Sequence, residues 1–275
     1  PMPLSVAEEF TGTAFPPTGW DLVNHDNDFT FERNVTVGKK SPGSAYFNDF
    51  DNPTNNRFDD LLFPNYSYTG LDSIFLKFAL SHVIFSYPLQ PGISIDSLAV
   101  IVSKDCGNTF TTLYKKFGEE LQTVKDPNFP RSDPFFPNNA NQWRTDSVNL
   151  GTFLGTNEEL FQVGFRFWGN FENNFFLDDI SLRGQILPAK LKADGFLIQP
   201  SPFKSTFAVW HYQQPTTLKY INVFNMSGQR VWSRQFSSGR ADKYITIDLG
   251  NRSAGIYIVQ LGYTDTGRNV ERKVM

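Results

Sequence analysis

A single cysteine, Cys106, stands in 275 residues. No disulfide can form within the chain, so its stability must come from the size of its core and from any bound metal. Histidine is nearly as scarce. His25, His82 and His211 lie far apart and outside any HExxH pattern, which leaves zinc-peptidase chemistry without visible ligands. The GxSxG of a serine-hydrolase elbow does not occur. Charged residues make up only 19% of the chain and the formal net charge is −3, so the basic footprint of a nucleic-acid binder is missing. No apolar run is long enough to span a membrane. No helical pattern of twelve or more residues and no short repeat period appear. The opening PMPLSVAEEF lacks the charged and apolar regions of a signal peptide.

What the chain does have is aromatic residues, at 16% with 28 Phe, and hydrophobic residues at 40%. That composition suits β structure. Alternating runs predict strands at 44–48, 72–80, 97–103, 111–117, 142–150, 160–169 and 174–182, separated by loops dense in Asn, Asp, Pro and Gly such as DNPTNN and FENN. A second series follows at 207–210, 218–225, 243–249 and 255–261, with the turn MSGQ (Met226–Gln229), whose Gly228 supplies a positive φ without steric cost. Many strands without βαβ alternation predict an all-β chain, a jelly-roll β-sandwich followed by a smaller Ig-like β-sandwich. The expected boundaries are 1–187 for the first domain, 188–193 for a linker and 194–275 for the second, with the Pro- and Lys-containing stretch 184–193 as the connection.

Few residues offer chemistry. In FFLDDISL one of the adjacent Asp178 and Asp179 must face inward. A bare buried carboxylate is costly unless it is paired or ligates a cation, so an oxygen-lined Ca²⁺ site is expected there. The adjacent pairs Glu119–Glu120 and Glu158–Glu159 point to opposite faces if extended and make no glycosidase pair. Cys106 could act as a nucleophile only beside a positioned histidine; a small, buried thiol is the expected role. Trp20, Trp143 and Trp168 offer a sugar-stacking platform, although alternation assigns Trp143 and Trp168 to the core. The long loop 126–141 is the first candidate for a partner surface.

The ordered motifs PSPF (Pro200–Phe203), INVFNMSGQRV (Ile221–Val231), ITIDL, AGIYIVQL (Ala254–Leu261) and ERKVM (Glu271–Met275) resemble the type A C-terminal sorting domain of the Bacteroidetes type IX secretion system. The family usually has Asn where Ser201 stands and often Asp where Asn225 stands. The resemblance implies a secreted or cell-surface protein, addressed to the type IX translocon and its outer-membrane shuttle protein. It implies removal of the last domain by a sortase-like cysteine protease, within 184–194. Its recognition residues are expected at Gly228, Gly255, Tyr257 and Lys273. Such cargo also carries an N-terminal export signal, so the chain is expected to be a piece of a longer protein.

From EEF and PPTGW (Pro16–Trp20) through AYFNDF, DSLAVIVSKDCGNTF and VGFRFWG to FLDDISL, residues 6–183 resemble the MAM-like jelly roll that includes the cleaved adhesin domains of gingipains. This implies a non-catalytic module holding structural Ca²⁺. The acidic first strand and the DD strand lie close in that family, which implies Glu8, Asp26, Asp28 and Asp178 as ligands. The function expected is thus an exported adhesion or binding module for a glycan or protein, with no enzyme activity of its own. The alternatives are the tail of a larger secreted protease or other hydrolase, and a jelly-roll carbohydrate-active enzyme.

Overall fold

The computed structural model describes residues 4–52, 57–91, 95–154, 160–211, 217–237, 243–264 and 269–275. The chain divides into two compact units, Pro1–Ile186 and Leu187–Met275. Both are β-sandwiches.

The first unit contains β1 (Ser5–Glu8), β2 (Asp21–Asn24), β3 (Phe31–Asn34), β4 (Ser44–Phe47), β5 (Arg57–Leu62), β6 (Tyr66–Ser67), β7 (Ser73–His82), β8 (Ser97–Ser103), β9 (Thr111–Phe117), β10 (Arg144–Asn149), β11 (Leu160–Gly169) and β12 (Phe175–Gln185). One sheet runs β10-β7-β12-β4-β3, with β1 also on β12; the other runs β2-β5-β11-β8-β9, with β6 also on β11. All pairings are antiparallel. The layout is the jelly roll expected from the strand pattern.

Alternation along β11 sets the core. Phe161, Val163, Phe165 and Phe167 face inward and are fully buried, so Gln162, Gly164, Arg166 and Trp168 belong to the other face. In β12 the parity changes partway. Phe175 and Leu177 lie in the main core, and so do Ile180 and Leu182. The register shifts between Asp178 and Ser181, with Asp179 at φ 54°. This β-bulge corrects the expectation that Asp178 or Asp179 must face inward, because the extra residue absorbs the change of parity. Asp178 instead shares the outward parity of Phe176 and is buried under the β3–β4 connection.

The outer face of the first sheet is covered too. Phe135, from the loop 126–141, packs with Tyr46, Ala79, Val83, Trp143 and Phe176. That loop was the first candidate for a partner surface. It is pinned: the Asn173 side chain accepts from Phe135 N (2.8 Å) and donates to the Arg131 and Asp133 carbonyls. The buried Arg131 guanidinium donates to the carbonyls of Val124, Asp126 and Phe129.

The second unit contains β13 (Phe196–Gln199), β14 (Thr206–His211), β15 (Leu218–Asn225), β16 (Arg230–Gln235), β17 (Tyr244–Asp248), β18 (Tyr257–Tyr263) and β19 (Asn269–Val274). A three-stranded sheet β13-β14-β17 faces a four-stranded sheet β16-β15-β18-β19 across a core of Phe196, Phe207, Val209, Ile221, Val223, Ile245, Ile247, Val259 and Leu261. The stretch 188–193, expected as a linker, is part of this unit. Ala189–Asp194 is a short helix closed by Gly195 at φ 77°, whose N–H reaches the Leu191 carbonyl. Leu191 is buried, which anchors the turn.

Candidate functional site

The second unit carries its candidate recognition residues at one end. The β15–β16 turn is built on Asn225, whose Oδ1 accepts from Ser227 N (3.1 Å) and Gln229 N (2.9 Å). Gly228 sits at φ 77°, where a side chain would be strained. The loop 251–257 lies beside this turn. Met226, Ser227, Gln229, Arg252, Gly255 and Ile256 are among the residues around one hollow of about 370 Å³. A second hollow of about 400 Å³ shares Arg252–Tyr257 and adds Phe203, Lys204 and Met275. Met226, Ile256 and Met275 are exposed apolar residues at 61%, 38% and 58%. The Gly228 turn and the Gly255–Tyr257 segment, 27 positions apart in sequence, thus border the same surface.

The four expected residues differ in what they do there. Gly255 is not in the left-handed region, and a Cβ added to it would meet nothing within 4 Å. Neither the backbone nor the packing of this chain requires a glycine at that position. Tyr257 is buried, packs against Phe203, and donates its hydroxyl to the Ser253 carbonyl. It shapes the loop from beneath. The Lys273 backbone pairs with Ile258 in β19; its side chain lies outside the described residues.

In the first unit the outward face of the β2-β5-β11-β8-β9 sheet gathers aromatic and charged groups. Leu62, Ala99 and Ile101 form its buried floor, with Val23, Phe110 and Trp168 packed over them. Trp168 is partly exposed, which corrects the expectation of a core tryptophan. It holds the parity of Arg166, opposite to the inward Phe167. Its ring lies 5.6 Å from Phe58, and Lys115 Nζ stands 4.1 Å above it. Arg166 grips the buried Asp60 through two hydrogen bonds of 2.6 and 2.7 Å and lies 4.2 Å from the Phe58 ring. His25 adds its ring at 4.6 Å from Phe58 and a 3.3 Å contact to Asp60. Such a surface can stack a flat apolar face and hydrogen-bond its rim. The other two tryptophans are core residues: Trp20 stacks on Phe63 at 3.8 Å, and Trp143 is under the pinned loop.

The four expected Ca²⁺ ligands lie on β1, the β2–β3 loop and β12. Among the described residues no group of three or more His, Cys, Asp or Glu stands where it could hold a metal ion. Glu8 Oε1 accepts from Phe10 N at 2.6 Å. Asp26 and Asp28 belong to the β2–β3 loop, where Asp28 N donates to Asp26 Oδ1, and Asp26 acts electrostatically on Asp59. Asp178 is satisfied by the N–H groups of Lys39 and Asp179, both at 2.6 Å, and burial raises its pKa to about 6. The neighbouring Asp179 carries Lys40 at 2.5 Å and Lys39 at 3.4 Å. Backbone amides and lysines thus surround Asp178 and Asp179. Cys106 is exposed at φ 59° on the β8–β9 turn, so the expected buried thiol is corrected. The turn is held by Asp105, whose pKa falls to about 2 through hydrogen bonds from Thr109 and Ser103.

Buried acids that sequence reasoning missed are Asp49, Asp96 and Glu172, all 0% exposed, near the equally buried His82. They come from three separate connections, so no spacing pattern could have found them. The backbone of Gly169 closes on the cluster, where a Cβ would lie 2.1 Å from Asp49 Oδ1.

Residues 197–275 match the family described as the secretion system C-terminal sorting domain. No curated protein matches the chain by sequence. Among solved structures, the K1 cleaved adhesin domain of Lys-gingipain from Porphyromonas gingivalis W83 is 18% identical with a TM-score of 0.46, covering 66% of this chain and 99% of that one. The K2 cleaved adhesin domain of the same gingipain is 18% identical with a TM-score of 0.43, covering 65% and 99%. The module CBM27-1 of Caldicellulosiruptor saccharolyticus, solved in complex with mannohexaose, is 11% identical with a TM-score of 0.40, covering 65% and 96%. No helix among the described residues is long and apolar enough to cross a membrane. The sorting domain marks the chain for export across the outer membrane, to the cell surface or the medium.

Proposed function

We propose that what this sorting domain exports is a non-catalytic binding module, with its ligand face on the outer side of the β2-β5-β11-β8-β9 sheet and a glycan as the first ligand class. One observation carries the reading. Strand parity turns Trp168 away from a core crowded with phenylalanine and places it beside Phe58, with Lys115, Arg166 and His25 at its edge. A protein ligand is the alternative for the same face. The bidentate Arg166–Asp60 pair serves as a fixed rim rather than as a catalytic acid, because Asp60 is committed to the guanidinium.

In the second unit the address is the rim formed by the Gly228 turn and the Gly255 loop. Gly255 supports this: the glycine has no use inside the chain, and an absent side chain lets a partner's backbone approach closely. The partners are the type IX translocon and its shuttle protein, followed by a sortase-like protease that removes the domain within 184–194.

The test is export of the full chain in a type IX-competent host. Ile256→Asp places a charge on an exposed apolar position of the rim. It lowers the amount in medium and on the surface by roughly tenfold or more, the size of one lost anchoring contact, while the melting profile of the purified protein stays unchanged. Normal export of this variant would remove the rim from the address. Intact mass of the surface form is expected to end near residue 190; a surface form still ending at Met275 would refute removal.

A further inference from the structure

Three carboxyl groups and one imidazole meet at one end of the first sandwich, fully buried. Asp49 follows β4, Asp96 precedes β8, Glu172 lies between β11 and β12, and His82 ends β7. Each acid is held by a backbone N–H from a connection other than its own. Asp49 Oδ2 accepts from Glu172 N (2.8 Å), Asp96 Oδ1 from Asn170 N (2.8 Å), and Glu172 Oε2 from Phe85 N (2.7 Å). The acids tie the loops together.

Among the described residues no lysine or arginine pairs with their other oxygens. Asp49 and Asp96 act on each other, the Asp49 charge raising the already buried Asp96, and two buried carboxyls side by side are eased by a proton held between them. Among the described residues Asp96 Oδ2 and Glu172 Oε1 have no hydrogen-bond partner, and neither does His82 Nε2, which points at Asp96 Oδ2 from 3.6 Å. His82 Nδ1 is engaged by the Asn174 carbonyl at 3.3 Å. The cation acting on His82 is Arg144, whose guanidinium is committed to Asp146 and the Gln122 carbonyl. Asn52 reaches Asp49 Oδ1 at 3.4 Å. The cluster is therefore a set of acids that must hold protons to remain dry.

We propose that Asp49, Asp96 and Glu172 form a shared-proton latch that holds this end of the first unit closed in mildly acidic surroundings and loosens it as the medium turns alkaline. The segment it controls can be named. Asn173 and Asn174 follow Glu172 directly and carry the loop 126–141 through Phe135: Phe135 N donates to Asn173 Oδ1, and Asn174 Nδ2 donates to Phe135 O. Loosening the latch uncovers Phe176 and Trp143 on the outer face of the first sheet.

The sign follows from which state holds more protons. Burial raises Asp49, Asp96 and Glu172, the last to about 7. From the ordinary carboxylate range upward the folded state is thus the more protonated, and stability falls as pH rises to and beyond 7. His82 works the other way. Burial lowers it to about 4, so it destabilises the fold only as pH falls below its ordinary value of 6.5. Within this cluster the acids alone set the slope above pH 6.5.

The experiment is thermal unfolding of the full chain between pH 6 and pH 8.5 in EDTA, with hydrogen exchange of 126–141 followed in parallel. The first-unit transition is expected to drop by at least about 3 °C, and exchange in 126–141 to rise before global unfolding. In Glu172→Gln, which keeps shape and hydrogen bonding but cannot ionise, both responses shrink. A flat or rising profile in the wild type would overturn the latch without reference to any variant. So would Ca²⁺ that restores the lost stability at pH 8.5 in the wild type but not in Asp96→Asn, since the cluster would then hold a cation rather than protons.

Discussion

Replacing Phe167 with alanine destabilises the first unit by about 3–5 kcal/mol, the range for removing a fully buried aromatic. Phe167 is 0% exposed and sits where the two sheets face each other. Its ring stacks on Phe175 at 4.5 Å, meets Phe47 at 4.9 Å and Phe31 at 6.3 Å, and lies 6.4 Å from His82. These neighbours are rigid rings on strands fixed by antiparallel ladders, so they cannot collapse far into the space left behind. For a unit of this size the loss corresponds to a fall of roughly 6–20 °C in its melting temperature. Scanning calorimetry of the full chain reads it directly, because the second unit has its own core and its transition should not move. Phe167→Leu keeps most of the volume and is expected to cost about 1–2 kcal/mol. A loss below about 1 kcal/mol for the alanine variant would mean that the aromatic ladder is not what limits this unit.

The strands β7, β8, β11, β15, β17 and β18 were legible because each alternates cleanly or is too apolar to be anything but a buried strand. β16 was not. RVWSRQ mixes two arginines with Val and Trp and pairs only with β15 at the sheet edge, so neither face reads as core. Trp168 was misassigned for a related reason. Period 2 says that Phe167 and Trp168 take opposite faces, but it does not say which face is inside, and both sides of β11 are apolar enough to qualify. Asp178 and Asp179 failed differently. The inward-facing argument assumed a regular strand, and the bulge that overturned it leaves no mark on hydrophobic spacing. Lysines and backbone amides surround the two carboxylates there. Gly228, expected from the MSGQ turn, and Gly255, expected from the motif order, border one rim that became visible only when hairpin and loop stood side by side.

Trp168→Ala weakens ligand binding by roughly 10- to 100-fold, about 1.4–2.8 kcal/mol, the range of one stacked aromatic anchor. Because Trp168 is partly exposed and packs over the small Ala99, its removal leaves the inner core intact, and the variant should melt close to the wild type. A glycan panel followed by calorimetric titration on the full chain provides the measurement. Unchanged affinity would remove the face from the reading, whereas Trp168-dependent binding of a protein and of no glycan would select the alternative ligand class. Lys115 separates the chemistry further. Its ammonium covers one side of the indole at 4.1 Å, a contact that holds the ring and also occupies it. For a neutral glycan, Lys115→Ala frees that side and binding tightens. For an acidic glycan the same change removes the cation nearest the stacking surface, and binding weakens, more so at low salt because exposed charges are poorly screened there. The direction of that single change assigns the charge of the ligand, whatever its sequence or linkage.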